Sequence, residues 1–531
     1  MSRKFLKRSL IAALSAGALL MTPVMTDAVW AQPMTSESDF VAANPIRDGV
    51  YDLTFDDSIG IEYSRNCNGQ VVDYIAYENI VYVAKPKDAA YQSMNIYIPK
   101  GYLEGKTING YTAKTAPIFM PNSVGGYMPG KALTPIENDR MSGSANAVLF
   151  ALSRGYVVAC PAIRGRTNVV NGVYVGKAPA LIVDYKAAVR YLRFNRDMLP
   201  AGDPEMIISN GTSAGGALSA LLGVTGNAEE YEPYLNEIGA ARGADNIFAS
   251  SDYCPITNLE NADMAYEWLF NGINIYHQNH MQMPVNDTQV MNRPDNAPTE
   301  SASAAEMTEA EIAVSKVLKD AFPIYLNSLD LLDKNNNQLV LDDKGNGSFK
   351  DYIKSKLIES AQSAIDEGID ISNVEWVIIN NGRVVDVDLD IYAFAIKRLK
   401  AAPAFDKLDL TSGENDEFAT NTNEPRHFTP ISKQYETVQG AMADESVIGL
   451  MNPMNFIGGN ATYAPYFRIR HGALDRDTSL AIPAILALKL ENQGVYVDFF
   501  VPWNRGHAGD YDLVELFDWM DKICKADPHN Y

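Results

Sequence analysis

The chain has 531 residues, 66 acidic against 44 basic, for a formal net charge of −22, and 47% of its residues are hydrophobic. That apolar content fills a folded interior and excludes a disordered chain, while the length exceeds one compact core and predicts two or three domains. An acidic surface repels phosphates, so nucleic acid and anionic membranes are set aside as partners, whereas a neutral polyphenol or its ester meets no such barrier.

At the N-terminus, Arg3, Lys4, Lys7 and Arg8 precede an apolar stretch from Leu10 to Met25, and Val29-Trp30-Ala31 places small residues where a signal peptidase reads. Residues 1–31 are predicted to be an export signal, which makes the protein secreted or periplasmic. Cleavage after Ala31 removes four basic residues and Asp27 and takes the charge to about −25. No later segment has the roughly eighteen uncharged apolar residues of a span, so no membrane is expected after cleavage. Cys67, Cys160, Cys254 and Cys524 are far apart, without CxxC or Cys/His metal spacing. They leave room for one or two disulfides, in any of three pairings, or equally for buried free thiols.

From residue 90 onward, short apolar strands alternate with helical periodicity, the pattern of a parallel sheet wrapped by helices. The predicted elements are a strand at Ala116 to Met120, a helix at Ala145 to Leu152, a strand at Tyr156 to Cys160 and a helix at Leu181 to Leu192. A strand at Met206 to Ser209, a small-residue helix at Gly215 to Leu222 and a strand at Ile247 to Ser250 follow. The rhythm stops near Cys254. It resumes with a strand at Tyr466 to Arg470, a helix at Ser479 to Leu490, a strand at Val495 to Val501 and a helix from Leu513 to Ile523. The organisation expected is therefore an α/β core of residues 32–255 and 446–531, interrupted by an inserted domain at 256–445. Within the insertion, Thr308 and Glu311 predict a capping box and Asn381-Gly382 a hairpin turn. Asp333, Asn335 and Asn337 match the first positions of a calcium loop, but Gln338 and Lys344 stand where that loop needs glycine and a bidentate glutamate, which favours a polar turn.

Gly211-Thr212-Ser213-Ala214-Gly215 fits G-x-S-x-G, a pattern that holds a serine on a tight strand-to-helix turn, and it lies between an apolar strand and a helix of small residues. A serine hydroxyl needs an imidazole to take its proton and an acid to orient that imidazole. In α/β-hydrolases the chain order is serine, acid, histidine. Asp475, after the strand ending at Arg470, and His507, after the strand ending at Val501, satisfy it. Asp477 rivals Asp475 for the acid, and His471 competes with His507 but precedes every candidate acid and reads as a supporting group. Two backbone N–H groups are needed for the oxyanion: Ala214 supplies one, and the glycine-bearing loop Asn122-Ser123-Val124-Gly125-Gly126-Tyr127 is placed to supply the other.

These residues resemble the bacterial tannases over nearly the whole mature chain. The resemblance rests on Pro121 to Tyr127, Ile163-Arg164-Gly165-Arg166, Asn210 to Gly216, Tyr253-Cys254-Pro255-Ile256, Ala262 to Trp268, Pro403-Ala404-Phe405-Asp406, His471 to Thr478 and His507 to Asp512. It implies an α/β-hydrolase fold with a large inserted lid, and an esterase that cleaves galloyl esters of tannins and simple gallates through an acyl-serine intermediate. It implies Ser213, Asp475 and His507 as the triad and Gly126 as the second oxyanion donor. It further implies that Lys400, Glu414 and Asp477 grip the three hydroxyls of the galloyl ring, with Ile256 as a wall. A cation and two carboxylates converging on three phenols reject a ring that lacks them. No metal or organic cofactor is expected, the partner is a small-molecule or polyphenol ester, and the oligomeric state is left open. The alternatives are a feruloyl or general aryl carboxylesterase, a serine peptidase of this fold, and a non-catalytic binding protein built on it.

Overall fold

The computed structural model describes residues 34–35, 40–139, 142–278 and 303–526. The export signal predicted at 1–31 lies outside them. Nine strands build one sheet: β1 (Ile61–Cys67), β2 (Gln70–Val81), β3 (Ser93–Pro99), β4 (Pro117–Pro121), β5 (Val157–Pro161), β6 (Asp203–Thr212), β7 (Ala249–Tyr253), β8 (Tyr466–Arg470) and β9 (Tyr496–Phe500). Their order is β9-β8-β7-β6-β4-β5-β3-β2-β1. Neighbours from β5 to β9 run parallel. The β3-β2-β1 edge is antiparallel. The sheet is thus mostly parallel, as expected, and mixed at one side.

Burial explains why the central strands read so clearly and the edge does not. Strands β4, β5, β7 and β8 are buried along their whole length, because helices flank a parallel sheet and both faces must be apolar; antiparallel β3 is equally buried, yet it is not among the predicted strands. In β1 only Cys67 is buried, so Ile61 to Asn66 carry no apolar run and the sequence gives no sign of a strand. Two predicted strands are also displaced. The one expected at Met206 to Ser209 extends over Asp203–Thr212, and the one expected at Ile247 to Ser250 lies at Ala249–Tyr253. Their true ends contain buried polar residues, Asn210, Ser251 and Asp252, held in register by the pairs Asn210 with Ser251 and Gly211 with Asp252. Ladder pairing satisfies the backbone there, and a hydrophobicity pattern cannot report it.

The flanking helices are α1 (Ala147–Ser153), α2 (Ala180–Phe194) and α3 (Ala214–Val224) in the first part of the chain. Among the described residues, the region between β7 and β8 contributes no strand to the nine-stranded sheet, and it packs into the same compact unit. It contains α4 (Leu259–Phe270), α5 (Glu309–Ser328), α6 (Ser348–Asp366) and the short α7 (Gly413–Glu417). Then come α8 (Ala481–Glu491) and α9 (Leu513–Lys525), whose Phe517 packs edge-on to Phe119 of β4. The capping box is present at the start of α5, with Thr308 Oγ1 accepting from the Glu311 N–H and the Glu311 carboxylate accepting from the Thr308 N–H. Asn381 and Gly382 both have positive φ and join Val377–Asn380 to Arg383–Val387 as a hairpin. The Asp333 carboxylate accepts from the N–H groups of Asn335 and Asn337 at 2.8 Å, a polar turn. All four cysteines are buried free thiols. Among the described residues, no helix is long and apolar enough to cross a membrane.

Candidate active site

Ser213 sits between the last residue of β6 and the first of α3 with φ 60° and ψ −122°. A side-chain-bearing residue holds positive φ only when its surroundings fix it. Here the Ser213 N–H donates to the Tyr253 carbonyl at 3.0 Å, and the Ser213 carbonyl accepts from Ala217 at 2.9 Å and Ile256 at 3.3 Å. The glycines around it are a steric requirement. A Cβ on Gly211 would lie 2.2 Å from the Gly215 carbonyl oxygen, one on Gly215 would lie 2.5 Å from Asn122 Oδ1, and one on Gly216 would lie 2.6 Å from the Tyr253 carbonyl oxygen. The turn therefore exists only because backbone carbonyls and the Asn122 side chain approach it closely, and it leaves the Ser213 side chain partly accessible. Ala214 opens α3, so its N–H belongs to the first turn and has no partner within the helix.

Asp475 and His507 come from the loops after β8 and β9 and meet, with His507 Nδ1 at 2.8 Å from Asp475 Oδ2. The other carboxylate oxygen accepts the Asp477 N–H at 2.9 Å. Burial would raise the Asp475 carboxyl, but His507 and His471 hold it below the ordinary carboxylate range. Burial would lower the His507 imidazolium, yet Asp475, the Cys254 sulfur and Asp477 outweigh it and raise it well above its usual value. The His507 loop closes onto the serine turn: a Cβ on Gly509 would fall 1.8 Å from Thr212 Oγ1. His471, the competitor, is fully buried with Nδ1 3.6 Å from Asp475 Oδ2, and burial lowers its pKa against the pull of Asp475.

Across the turn lies the loop after β4. Asn122 Nδ2 donates to the carbonyls of Asn210 and Gly215 at 3.1 and 3.0 Å, and Asn122 Oδ1 accepts the Val124 N–H. One side chain thus staples the loop to the serine turn. Gly126 (φ 53°) and Tyr127 (φ 58°) are consecutive left-handed residues. Tyr127 Oη donates to the Ile256 carbonyl at 3.2 Å, which binds this loop to the residue following Cys254 and Pro255.

Two of the three predicted ring-binding charges meet directly. Lys400 Nζ is 2.6 Å from Asp477 Oδ1, with each side chain about a fifth exposed. Burial would lower the Lys400 ammonium, but Asp477 and Glu414 raise it above its ordinary value. Against the effect of burial, Lys400 and His507 pull Asp477 down to about 2. Lys400 and Asp477 line a cavity of about 550 Å³ with Tyr276, Pro403 and Thr437. A larger cavity of about 790 Å³ lies beside residues 508–515 and includes none of the predicted site residues. Tyr266 of α4 accepts the N–H groups of Leu399 and Lys400, each at 3.2 Å, and fixes the Lys400 backbone. Fully buried Asp406 organises the Glu414 side: it accepts from Asn415 Nδ2 at 2.7 Å, from the N–H groups of Phe428 and Thr429, and pairs with His427 Nδ1 at 2.7 Å.

Sequence reasoning gave no individual role to Asn122, Cys254, Asp406 or Arg166, although each falls within a motif it quoted. Asp406 and Asn122 act by accepting or donating to backbone several residues or a whole strand away, a relation no local spacing encodes. Cys254 Sγ donates to the Ala508 carbonyl at 3.2 Å, and its ligand atom and those of Asp475 and His507 lie within 4.8 Å of one another. Burial raises that thiol's pKa, so a metal ion would have to displace its proton and compete with the imidazole–carboxylate bond. The cluster reads more simply as an acid–base pair with a buried thiol packed behind it.

The BD-FAE family model matches residues 127–310. No curated protein matches the chain. Among solved structures the chain is similar to Fusobacterium nucleatum tannase at 51% identity, covering 90% of this chain and 100% of that one with a TM-score of 0.85. It is similar to the native tannin acyl hydrolase of Lactobacillus plantarum at 44% identity, covering 89% and 99% with a TM-score of 0.82. It is also similar to tannin acyl hydrolase in complex with ethyl gallate, at 44% identity, 89% and 99% coverage and a TM-score of 0.81.

Because Gly211 has no room for a methyl group, Gly211→Ala should destabilise the protein by about 3 kcal/mol or more, the upper end of overpacking penalties. Gly449→Ala is the control, since an added Cβ there meets nothing nearer than 3.6 Å, and it should change stability by under about 1 kcal/mol. Urea unfolding midpoints decide the matter; equal midpoints for the two variants contradict the steric account.

Proposed function

This chain belongs to the bacterial tannases and hydrolyses gallate esters, and we propose that it does so through an acyl-serine intermediate formed by Ser213, His507 and Asp475. The observation that carries the proposal is the 2.8 Å bond between His507 and Asp475, on loops that close against the strained turn holding Ser213. Asp475 keeps the proton on Nδ1, which leaves Nε2 of the neutral imidazole to take the Ser213 proton as Oγ attacks the ester carbonyl. The oxygen that becomes negative accepts from the N–H groups of Ala214 and Gly126. Collapse expels the alcohol, which receives its proton from His507. Water, deprotonated by the same imidazole, then attacks the acyl-enzyme and releases the free acid, restoring Ser213.

In the proposed binding mode the galloyl ring lies against Ile256 and presents its hydroxyls to Lys400, Glu414 and Asp477. The lysine donates and the carboxylates accept. A ring without hydroxyls desolvates these charges and gives nothing in return, a penalty that falls on the competitor rather than the substrate. The insertion 256–445 supplies Ile256, Lys400 and Glu414, which supports reading it as a lid over the serine. Residues 1–31 support export, and Gln32 would then begin the mature protein.

Three outcomes test this. Turnover of methyl gallate should exceed that of methyl ferulate and methyl benzoate by about 10³-fold or more in kcat/KM, and Lys400→Ala should shrink the margin to about tenfold. Comparable rates on all three esters, or a margin indifferent to Lys400, would sink the ring-binding assignment while sparing the esterase. Since His507 acts as a base only when neutral and its pKa is raised, activity should be lost as pH falls through a midpoint above the ordinary imidazole value of about 6.5. Asp477→Asn removes a charge that favours the imidazolium and should move that midpoint down, measured as kcat/KM on p-nitrophenyl acetate. A midpoint unmoved by Asp477→Asn contradicts the assigned coupling. Finally, fractionated cells should hold the protein in the periplasm or culture fluid, beginning at Gln32 by mass spectrometry; protein confined to the cytoplasm with Met1 intact overturns the export reading.

A further inference from the structure

Arg166 lies outside the proposed triad, oxyanion pair and ring trio, yet it touches the supports of two of them. Its backbone N–H donates to the Tyr127 carbonyl at 2.9 Å, and its Nε donates to the Gly126 carbonyl at 2.9 Å. Both carbonyls belong to the consecutive left-handed residues of the loop after β4, a conformation that Tyr127 adopts only under constraint. From the same guanidinium, Nη1 donates to Asp416 Oδ2 at 2.6 Å. Asp416 belongs to α7, the five-residue helix that carries Glu414. Lys177 Nζ holds the other Asp416 oxygen at 2.6 Å. A Cβ on Gly413, the first residue of α7, would sit 3.4 Å from the Arg166 guanidinium carbon, so the helix start lies flat against it. Burial pushes the Glu417 carboxyl well up, with Lys177 and Arg166 opposing. The Arg166 side chain is 16% exposed; its bond to Asp416 is partly buried, whereas its bond to the Gly126 carbonyl faces solvent.

We propose that Arg166 is a positioning residue that fixes the oxyanion-loop peptides at Gly126 and Tyr127 to the helix bearing Glu414, so that ring recognition and oxyanion stabilisation share one rigid mount. The inference rests on the roles proposed above for Gly126 and Glu414. A planar fork is required, because one group must donate in two directions at once, and a lysine ammonium on its flexible stem does not span both acceptors in that fixed geometry.

The test measures kcat and KM on methyl gallate and on p-nitrophenyl acetate, an ester without ring hydroxyls, for wild type, Arg166→Gln, Arg166→Lys and Glu414→Gln. Losing a whole oxyanion donor lowers kcat by about 10²–10³-fold, so loosening one should lower it by about 10-fold to 100-fold. Arg166→Gln should show that loss on both esters and, in addition, raise KM on methyl gallate alone. Arg166→Lys keeps the charge opposite Asp416 and should restore KM on methyl gallate while kcat stays low on both esters. If Arg166→Gln does not fold, the KM-against-kcat split of Arg166→Lys carries the test. Full recovery of kcat by lysine, or a lowered urea midpoint with unchanged kcat and KM in both variants, overturns the proposal and leaves Arg166 a stabilising residue only. Glu414→Gln separates the two levels: if it leaves KM for methyl gallate unchanged, the ring-binding reading is at fault, whereas a raised KM there with no effect at Arg166 condemns the mount alone.

Discussion

Everything in this molecule is arranged around a backbone turn too tight for side chains. Ser213 stands at φ 60° and ψ −122°, and the strain is held by close approaches in which carbonyl oxygens of Gly215 and Tyr253 and the Asn122 amide occupy the space a Cβ would need. Strand β6 enters the turn and α3 leaves it, so the sheet order and the turn are one constraint: β4 and β7 must flank β6 for Asn122 and Tyr253 to reach it. The loops after β4, β8 and β9 then have no choice but to open at the same end of the sheet, where ligands bind in open α/β folds.

The second layer of order comes from buried carboxylates bound to backbone. Asp406 ties its own loop to Asn415 and to the consecutive residues His427, Phe428 and Thr429, three segments of the region between β7 and β8 that no helix or strand joins. Asp263 of α4 in turn accepts the N–H groups of Phe405 and Asp406. Burial and the neighbouring Asp406 push Asp263 up to about 7, with those backbone bonds opposing. Such groups are expensive to bury and tolerable only when saturated with donors. Fully bonded, they fix irregular chain as firmly as a helix would, which is what a segment carrying Lys400 and Glu414 on loops and short helices requires.

How far the sequence reached follows from these two kinds of order. The alternation of apolar strands and helices was legible because a doubly covered sheet imposes it, and the G-x-S-x-G turn was legible because steric exclusion leaves glycine few substitutes. Chain order pointed to His507 and to Asp475 or its rival Asp477, and the structure pairs His507 with Asp475. The exposed β1 edge was not legible, since a strand buried only at Cys67 has no pattern to show. Nor were the polar ends of β6 and β7, where pairing rather than hydrophobicity buries Asn210 and Asp252. Lys400 and Glu414 were reached by family resemblance and not by residue pattern, because a surface charge and a site charge look alike until the fold brings Asp477 to 2.6 Å from the lysine. Arg166 and Asp416, 250 positions apart, stayed invisible for the same reason.

That lysine–aspartate pair changes how selectivity must work in the proposed binding mode. If the charges waited unpaired for the ring, binding would be driven by rescuing them. Instead Lys400 and Asp477 already satisfy each other in the free protein, with about a fifth of each side chain still open to water. The ring hydroxyls therefore replace water on an existing pair and gain little in net affinity, since one hydrogen bond is exchanged for another. A ring without hydroxyls strips the same water and returns no bond, at about 1–3 kcal/mol for each group left short. Discrimination then arises from what the wrong ring loses, and the preformed pair sets the hydroxyl positions before any ester arrives.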